Sequence, residues 1–133
     1  GGTEHILVVD DEENIVKIMH KMLGQLGYTV TPRTSSAEAL EAFRNRPHSF
    51  DLIITDQTMP NMTGVELAQE MTRIRQDIPI ILCTGFSETV TENKARDMCI
   101  QAYIMKPVLL KDIAETIKSV LNRVRQQHNG TAN

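Results

Sequence analysis

The chain has 133 residues, of which 41% are hydrophobic and 23% charged, and its formal net charge at pH 7 is −3. This length suits a single domain with its own core and is too short for two. The small negative charge gives no support for direct nucleic-acid binding, and no apolar run reaches the roughly 20 residues that span a bilayer. Because no signal peptide is visible, we expect a cytoplasmic protein.

Five short apolar runs alternate with stretches of helical periodicity. The runs, taken as strands, cover residues 6–9, 28–30, 52–54, 78–82 and 102–105. Strands that alternate with helices in this way predict a parallel sheet covered by helices on both faces. The second run is mixed in polarity and is soon followed by Pro32, which is typical of an edge strand. This edge favours the strand order 2-1-3-4-5 of a doubly wound, flavodoxin-like (βα)5 fold.

The first three helices are predicted from apolar spacing and from residues that start or stop helices. The first carries its apolar residues between Ile15 and Leu26 and stops at Gly27. Ser35 or Ser36 can cap the second helix, and the third begins near Thr63.

The two remaining helices are predicted with less regular boundaries. The fourth runs from Ser87 to about Met98, where the apolar residues form no clean stripe. The last runs from about Leu110 to Arg125 with one apolar face. Residues 126–133 are polar and are predicted to fray, which leaves residues 1–125 as the folded domain.

Acidic residues follow two of the predicted strands. Asp10 and Asp11 follow the first, and Asp56 closes the third. Because the carboxyl ends of parallel strands meet at one edge of a sheet, we expect three carboxylates to lie together, where oxygen ligands suit Mg²⁺. Helix capping is the alternative for Asp10 and Asp11. Asp56 instead precedes a loop that is marked by Pro60 and Gly64.

Two later strands also end in polar residues. Thr84 closes the fourth and precedes Gly85, whereas Lys106 and Pro107 follow the fifth. An ammonium group at this edge can reach the carboxylates, although lysines before turns are mostly exposed. Only about 5–6% of X–Pro bonds in folded proteins are cis, so spacing alone does not predict a cis bond here.

At this point the chain resembles the receiver domains of two-component response regulators, the family of the chemotaxis response regulator. The resemblance covers Ile6 to about Val124. The residues that carry it are Val8-Val9-Asp10-Asp11-Glu12, Asp56 with Met59-Pro60 and Gly64, Thr84-Gly85, and Tyr103-Ile104-Met105-Lys106-Pro107. The resemblance implies a bacterial signalling domain that receives a phosphoryl group from a histidine kinase or a histidine phosphotransfer domain.

The resemblance also implies an acceptor and a metal site. Asp56 corresponds to the phosphoacceptor, which attacks a phosphohistidine or a small acyl phosphate. Asp10 and Asp11 correspond to the acidic pair that holds Mg²⁺. The acceptor carboxylate of Asp56 and the backbone carbonyl of Thr58 are implied as further metal ligands.

The remaining motif residues are implied to sense the phosphoryl group. Lys106 would pair with its oxygens, and Pro107 would follow a cis peptide bond. Thr84 would form a hydrogen bond to it, with Tyr103 as the coupled switch residue. Phe86, together with Thr58, would influence how fast the phosphoryl group is hydrolysed.

The same residues are compared with three alternative functions. A metal-dependent hydrolase with an aspartyl-phosphate intermediate would carry Asp-x-Asp on its first strand, whereas Asp10 and Asp11 are adjacent. A receiver-like interaction module that works without phosphate would usually lack Asp11, Asp56 or Lys106. A flavodoxin-like cofactor binder would need a phosphate-binding loop rich in Ser and Thr after the first strand.

The parent protein is also suggested by resemblance. Residues 2–12 and 83–88 resemble receivers fused behind a histidine-kinase catalytic domain, so a hybrid sensor kinase is expected. The domain itself is then a phosphoacceptor and not a stand-alone enzyme. We see no Lys/Arg-rich recognition helix for DNA. A homodimer through the fourth helix, fifth strand and last helix is a further expectation.

Overall fold

A computed structural model describes residues 3–85 and 100–131 of the chain. The predicted helix at Ser87–Met98, and Phe86 before it, lie outside the described residues. Among the described helices, none combines the length and the apolar composition that a membrane crossing requires. The described elements are β1 His5–Val9, α1 Glu13–Gln25, β2 Thr29–Arg33, α2 Ser36–Asn45, a 3-10 turn Pro47–Ser49, β3 Leu52–Asp56, α3 Gly64–Ile74, β4 Ile80–Thr84, β5 Ile100–Met105 and α4 Leu110–Thr131.

The five strands form one parallel sheet in the order β2-β1-β3-β4-β5. This order confirms the predicted fold, including the edge position of β2. Pro32 lies within β2 and opposite Val8 of β1. A proline is tolerated in an edge strand, because one side of that strand has no neighbour to receive its missing N–H.

The sheet separates two hydrophobic cores. Successive strand side chains point to opposite faces. In β1, Leu7 and Val9 therefore pack on the side of α2 and α3, whereas Ile6 and Val8 pack on the side of α1 and α4. Both faces are covered, which explains why the central strands have continuous apolar sequences rather than alternating ones.

Among the helices that the structure describes, the predicted signals mark the end of α1 and the start of α2, whereas the predicted end of the last helix differs. Gly27 ends the turn after α1 with a positive φ of 96°, and the Ser35 hydroxyl accepts a hydrogen bond from the third residue of α2. The predicted end of the last helix at Arg125 is wrong, because α4 continues to Thr131. Glutamine is a good helix former, and no Gly or Pro follows Arg125 before Gly130, so nothing stops the helix there.

Candidate functional site

Two neighbouring strand ends bring the predicted acidic residues together. Val9 of β1 lies opposite Thr55 of β3, so the residues that follow them, Asp10 and Asp56, are adjacent at the carboxyl edge of the sheet. One oxygen each from Asp10, Asp11 and Asp56 lie within 4.8 Å of one another. Asp10 and Asp56 are only 2% and 3% exposed, whereas Asp11 is exposed.

Helix capping does not account for Asp10. The N-cap of α1 is Glu12, and within the described residues its side chain makes no capping hydrogen bond. The Glu12 N–H instead donates to Oδ1 of Asp10 at 2.9 Å, a local turn that fixes the direction of the carboxylate. The second oxygen of Asp10 faces the lysine at the end of β5.

Lys106 supplies the positive charge of the cluster. Its Nζ lies 2.5 Å from Oδ1 of Asp56 and 4.0 Å from Oδ2 of Asp10. The backbone N–H of Lys106 donates to the Thr84 carbonyl at 2.7 Å, which fixes the turn after β5 to the end of β4. The peptide bond between Lys106 and Pro107 is cis, the geometry that the family resemblance implies.

Burial and charge shift the proton affinities of the cluster. Desolvation by burial, together with the charges of Asp56 and Asp11, raises the pKa of Asp10 from 3.8 to about 6, against the lowering effect of the Glu12 hydrogen bond and of Lys106. Burial alone would lower the pKa of Lys106, but its hydrogen bond and charge interaction with Asp56 outweigh this and raise it. The raised pKa of Asp10 therefore reflects mainly the cost of burying its charge, which Lys106 and the Glu12 hydrogen bond do not offset.

The donor set fits a hard divalent cation. Three carboxylates supply oxygen ligands of the kind that Mg²⁺ prefers, and one of them, Asp11, reaches solvent where the ion can keep its waters. Burial is the main cause of the raised pKa of Asp10, and the charges of Asp56 and Asp11 add to it. A cation among these oxygens would favour the ionised carboxylate against both effects. Thr58, whose carbonyl the resemblance adds to the ligands, lies exposed in the loop after β3.

The start of α3 packs directly on the backbone of Asp56. A Cβ added to Gly64 would lie 2.3 Å from the Asp56 carbonyl oxygen and 2.7 Å from Cδ1 of Leu82. Only glycine allows this close approach. The sequence predicts Gly64 only as part of a loop. It predicts no role for Gln57, which accepts hydrogen bonds from the first turn of α3.

The two residues predicted to act as a switch, Thr84 and Tyr103, lie on the same face of the sheet. Thr84 ends β4 two residues after Leu82, and Tyr103 of β5 lies opposite Leu82. Side chains two residues apart on a strand share a face, so Thr84 lies on the same face as Tyr103 and two residues further along in register. Tyr103 is half-buried and packs against the core under α2 and α3.

An apolar cavity opens beside the charged cluster. Its volume is about 190 Å³, and Asp10, Asp56 and Lys106 contribute to its lining. Its apolar wall comes from α1 and from Val108 after the cis bond, with Ile18 of α1 56% exposed. The charged site is thus bordered by a surface on which an apolar group can rest.

Comparisons with known proteins match nearly the whole chain to one family. The model of the response regulator receiver domain family matches residues 6–118. A probable transcriptional regulator, ycf27, of Cyanidium caldarium is 36% identical over 124 residues, which are 93% of this chain and 49% of that protein. The response regulator SaeR of Staphylococcus aureus is 32% identical over 93% of this chain and 53% of its own length. The chain therefore spans about half the length of these curated relatives.

Solved structures show the same likeness. A response regulator receiver domain protein of Clostridium thermocellum has a TM-score of 0.88 at 30% identity, with 93% of this chain and 98% of that one covered. A CheY-like receiver domain protein of Methanospirillum hungatei has a TM-score of 0.87 at 30% identity, with coverage of 94% and 98%.

Proposed function

Because the chain belongs to the response regulator receiver domain family, we propose that it accepts a phosphoryl group on Asp56 as part of a two-component signalling pathway. The observation that carries this proposal is the surroundings of Asp56. Its carboxylate is buried at a strand end, two further carboxylates lie within 4.8 Å, and an ammonium group lies 2.5 Å away. An aspartate with a purely structural role would not require two further carboxylates and a lysine around it.

The proposed reaction is an in-line transfer to a carboxylate. An oxygen of Asp56 attacks the phosphorus of a phosphohistidine as the P–N bond breaks. The electron pair stays on the histidine nitrogen, which then takes up a proton from water. Such a transfer depends mainly on positioning and on neutralising charge around the phosphoryl oxygens.

Each member of the cluster has a part in this step. Lys106 holds Asp56 in the resting state and can follow the negative charge onto the phosphoryl oxygens. Asp10, Asp11, Asp56 and the Thr58 carbonyl would hold Mg²⁺, which supplies charge neutralisation and a template for the phosphoryl oxygens. The burial of Asp56 keeps water away from the new acyl phosphate bond.

The signal would leave the site through Thr84 and Tyr103. A phosphoryl group adds acceptor oxygens beside Thr84, whose hydroxyl can donate to one of them. Movement of Thr84 changes the space available to Tyr103 on the same sheet face, which is a local charge event coupled to packing. Phe86 and Thr58 stay proposed modulators of hydrolysis, and Phe86 lies outside the described residues.

The proposed partners follow from the reaction. A histidine kinase or a histidine phosphotransfer domain would deliver the phosphoryl group, and a hybrid sensor kinase remains our proposal for the parent protein. Interaction without phosphate is less well supported, because it would not require Lys106 to lie beside two buried carboxylates.

The test is intact-mass spectrometry after incubation with acetyl phosphate and Mg²⁺. We expect one added phosphoryl group that hydroxylamine removes. Asp56→Ala should show no gain, whereas Asp112→Ala, which removes an exposed acid in the first turn of α4, should label normally. Equal labelling of Asp56→Ala and the unaltered chain would refute the assignment. If neither takes the label, beryllofluoride binding at Asp56 separates a donor-specific receiver from a domain that does not use phosphate.

A further inference from the structure

Gln57 follows Asp56 and is held at three points. Its N–H donates to the Cys83 carbonyl of β4 at 3.0 Å, and its own carbonyl accepts the Gly64 N–H at 3.0 Å. Its side-chain Oε1 accepts the Val65 N–H at 2.9 Å. One residue therefore joins the end of β3 to the neighbouring strand and to the first turn of α3.

The first turn of α3 has a second, separate source of stabilisation. The Thr63 hydroxyl accepts the Glu66 N–H at 3.2 Å, and the Glu66 carboxylate accepts the Thr63 N–H at 2.9 Å. This reciprocal capping box satisfies the helix without involving residues 56–58. The two sets of hydrogen bonds thus serve the same helix end, but only the Gln57 set passes through the segment beside the acceptor.

We propose that Gln57 is a positioning residue for the acceptor site. Its backbone lies between Asp56, which carries the acceptor carboxylate, and Thr58, whose carbonyl is a proposed metal ligand. The two backbone hydrogen bonds fix the peptide planes on either side of Gln57, and with them the Cα positions of Asp56 and Thr58, which carry the two ligands. The side-chain bond to Val65 ties this segment to the first turn of α3. The close approach of Gly64 to the Asp56 carbonyl blocks movement on the remaining side.

The inference rests on the proposed function and concerns the geometry of that same site. Groups behind metal ligands typically change metal affinity by about 10- to 100-fold when they are removed. Gln57 acts on two ligands through the backbone, so we expect an effect at the lower end of that range.

The decisive comparison is between Gln57→Met and Thr63→Ala. Methionine keeps the length of the side chain and removes the acceptor oxygen, whereas Thr63→Ala removes a cap of the same helix turn. Mg²⁺ affinity is measured by NMR titration, labelling by intact mass with acetyl phosphate, and stability by urea unfolding. We expect Gln57→Met to raise the Kd for Mg²⁺ about tenfold and to slow labelling similarly. Thr63→Ala should lower the urea midpoint but leave the Kd within about twofold.

A third variant removes the same hydrogen bond from its donor side. Val65→Pro deletes the N–H that Gln57 accepts, at a first-turn position where helices tolerate proline. It should weaken Mg²⁺ binding as Gln57→Met does, and it keeps the test available if Gln57→Met fails to fold. The inference is overturned if the Kd is unchanged in either variant, or if Thr63→Ala raises it equally. Failure of the unaltered chain to accept label or beryllofluoride would instead overturn the proposed function.

Discussion

The two ends of the central strands are built in opposite ways. At the amino end, the His5 N–H donates to Asp51 at 2.8 Å, and the His5 ring contacts the Ser49 carbonyl and the Thr31 hydroxyl. The same ring lies 4.6 Å from that of Phe50. At the carboxyl end, buried carboxylates face one another and share one lysine. At the amino end the backbone and ring of His5 are hydrogen-bonded, whereas the carboxyl end concentrates charge that is unfavourable without a ligand. The hydrogen-bonded end and the proposed functional site thus lie at opposite edges of one sheet.

The largest expected effect comes from filling the contact between α3 and Asp56. Gly64→Ala places a methyl group against a backbone carbonyl that cannot move away easily. We expect a loss of about 3 kcal/mol in the free energy of unfolding, the upper part of the range for overpacking. Urea unfolding measures it.

Gly24→Ala is the matched control for that substitution. Among the described residues, a Cβ on Gly24 of α1 would have no neighbour within 4 Å. Alanine within a helix should therefore stabilise the chain by about 0.5–1 kcal/mol. Similar losses in the two variants would show that the contact with Asp56 is not the cause.

The next effect tests whether the charged edge opposes folding. The pKa of Asp10 is raised from 3.8 to about 6, so the folded chain holds this proton more tightly than the unfolded chain. Unfolding then releases a proton between about pH 4 and 6, and stability falls as pH rises through that window. Asp10→Asn, which imitates the protonated form, should stabilise the metal-free chain by about 2 kcal/mol at pH 7 and by almost nothing at pH 4.

Removing a carboxylate at the amino edge of the sheet should instead lower the free energy of unfolding. Asp51→Ala removes the acceptor of the His5 N–H and should destabilise the chain by about 1 kcal/mol. The comparison between the two edges fails if Asp10→Asn also destabilises the metal-free chain at pH 7. Thermal or urea unfolding of both variants at pH 4 and pH 7 decides it.

The last effect, stabilisation by the proposed metal, is similar in size to the loss expected for Asp51→Ala. At a free Mg²⁺ concentration tenfold above its Kd, binding to the folded state alone should add about 1.4 kcal/mol. The gain should disappear as pH falls below about 6, because protonated Asp10 cannot serve as a ligand. Melting temperatures with and without Mg²⁺ at pH 7.5 and pH 5 measure this, with Asp10→Asn as the variant that should gain little. A gain that persists at pH 5 would contradict the assignment of Asp10.

The sequence predicts the features that depend on hydrophobic periodicity, but not the contacts that depend on the path of the loops. Continuous apolar runs and the mixed second strand were sufficient for the strand order, and strand-end convergence was sufficient for the acidic cluster. The three bonds of Gln57 and the tight contact of Gly64 depend on how the loop after Asp56 returns to α3. No spacing rule encodes that return. The predicted end of the last helix at Arg125 is wrong because polar residues alone do not stop a helix where no helix breaker follows.

The division of β1 between two cores has a consequence for inheritance. Its side chains alternate strictly, and Asp10 follows them directly at the strand end. A one-residue insertion or deletion in β1 would exchange the two faces and turn the acidic end away from Asp56. Substitutions between aliphatic residues leave this alternation of side chains unchanged. Descendants of this gene should therefore vary the composition of β1 freely among apolar residues while keeping its length fixed, and should accumulate length changes only in loops.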